Sequence, residues 1–196
     1  MSQKKRYEAI VIGSSAGGLN ALKVLLHGLS EGFNIPLIIV QHISADSENY
    51  LIQILNDIRK LQVKEADEKE QPMPGMAYLA PPNYHLLLEP DRTFTLTIDE
   101  RVNYARPSID VLFETAAEAY KDKLIGIILT GANNDGSKGL KKIKDFGGLT
   151  IVQDPETAEV ASMPRAAILT SAVDQIIPLE EIAPFLNSLT DMNPKS

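Results

Sequence analysis

Short apolar runs rich in β-branched residues alternate along this chain with stretches whose apolar positions recur every three to four residues. The runs predict strands at residues 9–12, 36–40, 63–66, 124–129, 149–152 and 175–177. The stretches predict helices at about 18–29, 46–60, 137–146 and 164–170, and Pro107-Ser108 signals the start of another. Alternation of this kind means parallel strands with helices packed on the faces. Between the two halves, residues 77–80, 86–88 and 94–98 are short runs separated by Pro81-Pro82-Asn83 and Pro90-Asp91-Arg92, turn chemistry that predicts antiparallel hairpins. The expected fold is therefore α/β and doubly wound, a mainly parallel sheet with helices on both faces and an antiparallel hairpin edge or appendage. Residues 67–74, acidic and then carrying Pro72 and Pro74, read as a solvated connection, and 191–196 as a frayed tail.

Composition narrows the function classes. A length of 196 residues with 44% hydrophobic content suits one domain spanning 1–196, with a core that needs neither disulfides nor metal. A net charge of −7 argues against nucleic acid or an anionic membrane as partner, and Lys4-Lys5-Arg6 is too short a basic run to reverse that. There is no cysteine, and His27, His42 and His85 lack metal-ligand spacing, so no metal or cofactor is expected. The start of the chain lacks the apolar core and cleavage site of a signal peptide, and no apolar run approaches the ~20 residues of a membrane helix. A soluble, cytoplasmic protein without membrane insertion is the expectation.

Candidate chemistry follows from where the strands end, because ligands of open α/β sheets collect at the carboxyl ends of parallel strands. The first strand runs into Gly13-Ser14-Ser15-Ala16-Gly17-Gly18, a G-x-S-x-G turn that leads into a helix and holds Ser15 at its centre. Such a turn displays a nucleophilic serine beside free helix N–H groups; it also suits an anion site or an unspecialised turn. The spacing fits neither a dinucleotide fingerprint nor a phosphate loop, since Ser15 stands where the first would need glycine and Leu19-Asn20 where the second would need Lys-Ser/Thr. The second strand delivers Gln41-His42, and strand 124–129 delivers Thr130-Gly131-Ala132-Asn133-Asn134-Asp135-Gly136. A serine needs an imidazole to take its proton, and the imidazole a carboxylate to orient it, so Ser15, His42 and Asp135 form a candidate triad. Its chain order, Ser-His-Asp, differs from that of the α/β-hydrolases. Structural alternatives stand beside each assignment: His42 as a satisfied histidine at a strand end, Asp135 as a turn or helix cap. His85, at the start of a hairpin strand, is the rival base, and His27, among leucines of the first helix, reads as structural.

These residues lie within a longer series of motifs. Ile12 to Gly18, Gln41-His42, Pro74 to Pro81, Arg106 to Phe113, Ile128 to Gly131 with Asn134-Asp135-Gly136, and Met163 to Ala167 together resemble the catalytic domain of the chemotaxis receptor methylesterases, the CheB family, over nearly the whole chain. The resemblance places that family's serine, histidine and aspartate on Ser15, His42 and Asp135. It implies hydrolysis of glutamate γ-methyl esters on the cytoplasmic helices of chemoreceptors, and deamidation of glutamines on the same helices. On this reading the amides of Ala16 and Ala132 are the oxyanion donors, Arg106 holds an acidic group of the receptor or forms a surface salt bridge, and Met163 lines the cleft or fills a core gap. The family usually reads Gly-Ala-Ser-Thr-Gly-Gly and Gly-Met-Gly-x-Asp-Gly, whereas this chain has Ser14, Ala16, Ala132 and Asn133. Asn133, in a glycine position, raises the question of a positive φ. Family members commonly carry a phosphoacceptor receiver domain ahead of the catalytic one; with the first strand beginning at residue 9, none is expected here. The expectation is that any control comes from a separate regulatory protein or from access to receptors rather than in cis. Two other functions remain open: a binding module of the same fold that docks on receptors or a signalling partner, and a serine esterase or amidase for small substrates.

Overall fold

The computed structural model describes residues 6–42, 48–58, 60–171 and 173–191. Among them lie the strands β1 (Ala9–Ser14), β2 (Leu37–Gln41), β3 (Gln62–Glu65), β4 (Met76–Leu79), β5 (His85–Leu88), β6 (Phe94–Thr97), β7 (Leu124–Ile128), β8 (Leu149–Gln153) and β9 (Gln175–Ile177). The helices are α1 (Gly18–Gly28), α2 (Glu48–Asn56), α3 (Ile109–Tyr120), α4 (Ser137–Asp145), α5 (Ser162–Thr170) and α6 (Leu179–Asp191). Seven strands form one wholly parallel sheet in the order β3-β4-β2-β1-β7-β8-β9.

The central strands β1, β2 and β7 are buried at every position because both faces of the sheet are covered, which is why they read as continuous apolar runs. Side chains of successive residues point to opposite faces. Ile10, Ile12, Leu37, Ile39, Ile125 and Ile127 pack with Leu22 and Leu25 of α1, Leu51 and Leu55 of α2, and Ile182 and Leu186 of α6. Ala9, Val11, Ile38, Val40 and Ile128 pack on the other face with α3, α4 and α5 through Leu112, Phe113, Leu140, Ile143 and Ala167.

The structure corrects one expectation and adds detail to the rest. Residues 77–80, expected in a hairpin, supply β4, which is parallel and inserted between β3 and β2. Ala77, Tyr78 and Leu79 are all buried, so the strand must be covered on both sides, and Tyr78 meets Phe94 edge to face at 5.1 Å between ring centres. The expected antiparallel hairpin is present as β5–β6, a sheet of its own laid on the α3 layer through Leu86, Leu88 and Phe94, an appendage rather than an edge of the main sheet. Helix α6 went unpredicted because Pro184 interrupts its pattern, yet Ile182, Ala183 and Leu186 are buried in the core layer that includes α1. Parts of the predicted helix at 46–60, Lys4 and Lys5 of the basic start, and tail residues 192–196 lie outside the described residues, while Asp191 closes α6.

Candidate active site

Strands β2, β1 and β7 are neighbours, so the residues that follow them emerge side by side at the carboxyl edge of the sheet. The backbone ladder continues past the strands and ties these ends together: His42 N–H donates to Ser14 O at 3.0 Å, Ser15 N–H to Thr130 O at 3.0 Å, and Leu129 N–H to Gly13 O at 2.9 Å. The turn at Ser15 passes through Gly17 at φ +78° and enters α1, with Gly18 N–H donating to Ser15 O. Gly18 is held to glycine by close approach, for a Cβ there would stand 1.8 Å from Gln41 Oε1.

Gln41 is the clamp that closes this approach. Its Oε1 accepts from Ser14 Oγ at 2.6 Å, and its Nε2 donates to the carbonyls of Ser15 at 2.8 Å and His42 at 3.0 Å. One side chain thus joins the turn bearing Ser15 to the strand end bearing His42. Thr130 closes the other side, its hydroxyl donating to Ala16 O at 2.8 Å. Gln41→Leu keeps volume but leaves the buried Ser14 hydroxyl without a partner, and is expected to destabilise the fold by about 1–3 kcal/mol, measured by urea denaturation.

Asp135 lies in the loop between β7 and α4 and is fully buried. Its Oδ2 accepts from His42 Nε2 at 3.0 Å and Ile109 N at 2.7 Å; its Oδ1 accepts from Ser108 Oγ at 2.8 Å, Asp110 N at 3.1 Å and Asn103 Nδ2 at 3.1 Å. Two of these donors are first-turn amides of α3, whose positive end also favours the anion. Burial opposes ionisation, but the hydrogen bonds from His42, Ile109, Asp110 and Ser108 outweigh it and hold the carboxyl below its ordinary value of 3.8. A folded-state value below the unfolded one means stabilisation that is complete above the unfolded pKa and is lost as pH falls through the folded one. Urea midpoints are therefore expected to be insensitive to this group at neutral pH and to fall below about pH 3.8, with the fall reduced in Asp135→Ala.

The other candidates separate cleanly. His85 is buried with both ring nitrogens engaged, Nδ1 accepting from Ser108 N at 3.2 Å and Nε2 bonding Glu100 O at 3.0 Å, so it braces the start of α3 and is no rival base. His27 sits exposed in the last turn of α1. Arg106 donates through Nη1 to the carbonyls of Ile98 at 2.7 Å and Asp99 at 3.0 Å, and among the described residues no carboxylate pairs with it; it fastens the loop after β6. Met163 is fully buried, its Cε and Sδ packed where a side chain on Gly131 would stand, a point only 3.0 Å from Ser15 Cβ. It supports the floor of the site rather than lining an open cleft. Ala16 and Ala132 are exposed, and among the described residues neither backbone N–H has an acceptor. Ser15 Oγ likewise has no hydrogen-bond partner among the described residues. Asn133 does not adopt a positive φ, so replacing glycine there introduces no left-handed strain.

Reasoning from sequence missed the supports. Asn103 Nδ2 bridges Asp135 and Asp110, donating to Asp110 Oδ2 at 2.9 Å. Burial pushes the Asp110 carboxyl above its ordinary value, and the neighbouring Asp135 charge adds to the rise. Ser108, Asp110, Gln41 and Thr130 all lie within the motifs themselves, which was the available signal, but the motifs alone assign them no supporting role. Asn103 had no such signal. Among the described residues no group of three or more His, Asp or Glu side chains is arranged to hold a metal, and no helix is long and apolar enough to cross a membrane.

A nucleophile, a base and a buried carboxylate at adjoining strand ends can perform acyl transfer through a covalent intermediate. Comparison with known proteins points the same way. A model of the CheB methylesterase family matches residues 10–186. A Leptospira interrogans protein named provisionally as a protein-glutamate methylesterase/protein-glutamine glutaminase is 59% identical over 187 residues, covering 95% of this chain and 97% of that one. The Thermotoga maritima protein-glutamate methylesterase/protein-glutamine glutaminase is 38% identical over 176 residues, 88% of this chain but 51% of its own length, so this chain spans about half of that relative. The crystal structure of the Thermotoga maritima CheB methylesterase catalytic domain superposes with a TM-score of 0.89 at 36% identity, covering 93% of this chain and 98% of that one.

Proposed function

The chain belongs to the CheB methylesterase family, and from that premise we propose that it hydrolyses glutamate γ-methyl esters on chemoreceptors and deamidates receptor glutamines, using Ser15, His42 and Asp135. The observation that carries this reading is the 3.0 Å contact between His42 Nε2 and the fully buried Asp135 carboxylate, at the strand end adjoining the one that displays Ser15.

With Nε2 committed to Asp135, Nδ1 is the nitrogen left to serve Ser15, so the two ring nitrogens exchange the roles they hold in the chymotrypsin triad. Ser15 Oγ adds to the γ-carbonyl carbon as its proton passes to His42 Nδ1. The tetrahedral oxyanion that forms is met by the free amides of Ala16 and Ala132. Collapse breaks the bond to methoxide, which leaves as methanol with the proton from His42; for a glutamine, ammonia leaves instead. Water, deprotonated by the same Nδ1, then cleaves the acyl-serine and restores Ser15 with glutamate as product. Throughout, Asp135 stays ionised, orienting the imidazole and stabilising its charged form.

The substrate on this reading is the methylated cytoplasmic helix region of a receptor, and the protein acts in the cytoplasm. Methanol release from a methylated receptor fragment by the purified chain, with ammonia release from an unmethylated glutamine-bearing fragment beside it, tests the proposal. Release of both products supports it. A folded chain that releases neither would leave a binding module, and one that turns over only small esters would leave a small-substrate esterase.

A further inference from the structure

Asn133 stands between two members of the site. Its Oδ1 accepts from the backbone N–H of Asp135 at 3.0 Å, and its Nδ2 faces His42 Nδ1 at 3.3 Å. The orientation of this amide follows from chemistry: a backbone N–H can only donate, so the atom facing it must be the oxygen, which turns the NH2 toward His42. An NH2 group can only donate in turn, so His42 Nδ1 must present its lone pair and the ring proton must sit on Nε2. That proton points at the ionised carboxylate of Asp135, which can only accept. One backbone N–H thereby sets the proton positions of the whole chain Asp135–Asn133–His42–Asp135.

A neutral ring nitrogen carries a single in-plane lone pair. The Nδ1 lone pair that must receive the Ser15 proton is already accepting from Asn133, and Ser15 Oγ has no hydrogen-bond partner among the described residues. We propose that Asn133 is a positioning residue that fixes His42 as the Nε2–H tautomer and caps Nδ1 in the substrate-free protein, so that the base serves Ser15 only after the amide is displaced. The inference rests on the reading of Ser15 as nucleophile and His42 as base. At 3.3 Å the cap is longer than an ordinary N–H hydrogen bond, and Asn133 is half-buried between exposed Ala132 and Asn134, so its release needs only a local movement of the loop.

The test uses the full chain with 15N-labelled histidine, as wild type, Asn133→Ala and Asn133→Gly. Long-range 1H–15N spectra at mildly alkaline pH are expected to show His42 of the wild type protonated at Nε2, and its Nδ1 resonance is expected to move in both variants toward that of a lone pair with no donor. Phosphonylation of Ser15 by a fluorophosphonate, too small to displace the loop, is expected to be about two- to twelvefold faster in the variants, the factor equivalent to one net hydrogen bond. The same spectra show whether each variant is folded, and the alanine variant decides if glycine loosens the loop. A wild-type proton on Nδ1, an unmoved Nδ1 resonance, or folded variants that react no faster than wild type would each overturn the cap. If neither wild type nor variants react faster than Ser15→Ala, the nucleophile assignment fails, while the Nδ1 resonance still decides whether Asn133 caps His42.

Discussion

Replacing Ser15 with alanine is expected to lower methanol release by about 10⁴- to 10⁶-fold while leaving the fold intact. The size follows from the loss of the covalent route: no neighbouring hydroxyl takes its place, and what remains is the modest acceleration from substrate positioning and oxyanion donors. The intact fold follows from the structure, because the Ser15 side chain makes no hydrogen bond among the described residues and the turn is held by its backbone, by Gln41 and by Thr130. Stability within about 0.5 kcal/mol of wild type is therefore expected in urea denaturation. A variant that kept a tenth of the activity would remove Ser15 from the mechanism.

Asp135→Asn is expected to cost about 10⁴ in rate and, unlike the serine change, about 1–3 kcal/mol of stability. Both carboxylate oxygens accept from backbone amides, Oδ2 from Ile109 and Oδ1 from Asp110, so whichever way the new amide turns, its NH2 confronts a backbone N–H that cannot reorient. One buried donor is left without a partner. If the NH2 takes the Oδ2 position it also donates to His42 Nε2, which drives the ring proton to Nδ1, where Ser15 needs a lone pair and where the Asn133 NH2 already points. Activity and stability thus fail for one reason, the acceptor-only character of a carboxylate. Methanol release and urea denaturation on the same preparation check both; a full-rate variant, or one with wild-type stability, would contradict the geometry.

Much of the site was legible in the order of residues. A glycine-framed serine after the first apolar run, a histidine after the second and an aspartate after another parallel strand are local signals, and the rule that ligands gather at strand ends is enough to group them. The expected hairpin at 77–80 failed because Pro81-Pro82-Asn83 states only that the chain turns, whereas pairing is set by where Ala77, Tyr78 and Leu79 can all be buried. Asn103 was invisible for a related reason: a lone asparagine in a polar loop carries no pattern, and its role exists only because the loop lies beside the start of α3.

The sequence by itself determined the alternation of buried strands and amphipathic helices, the turn that displays Ser15, and the three residue types that acyl transfer needs. These are short-range properties, written in hydrophobic periodicity and backbone propensity. Only the tertiary structure decided that β2, β1 and β7 are neighbours, that His42 meets Asp135 through Nε2 across 93 residues of chain, and that Asn133 occupies the remaining nitrogen. Those choices belong to strand order and to the matching of donors with acceptors inside a closed core. No local pattern encodes them, because each depends on which distant groups share the same buried space.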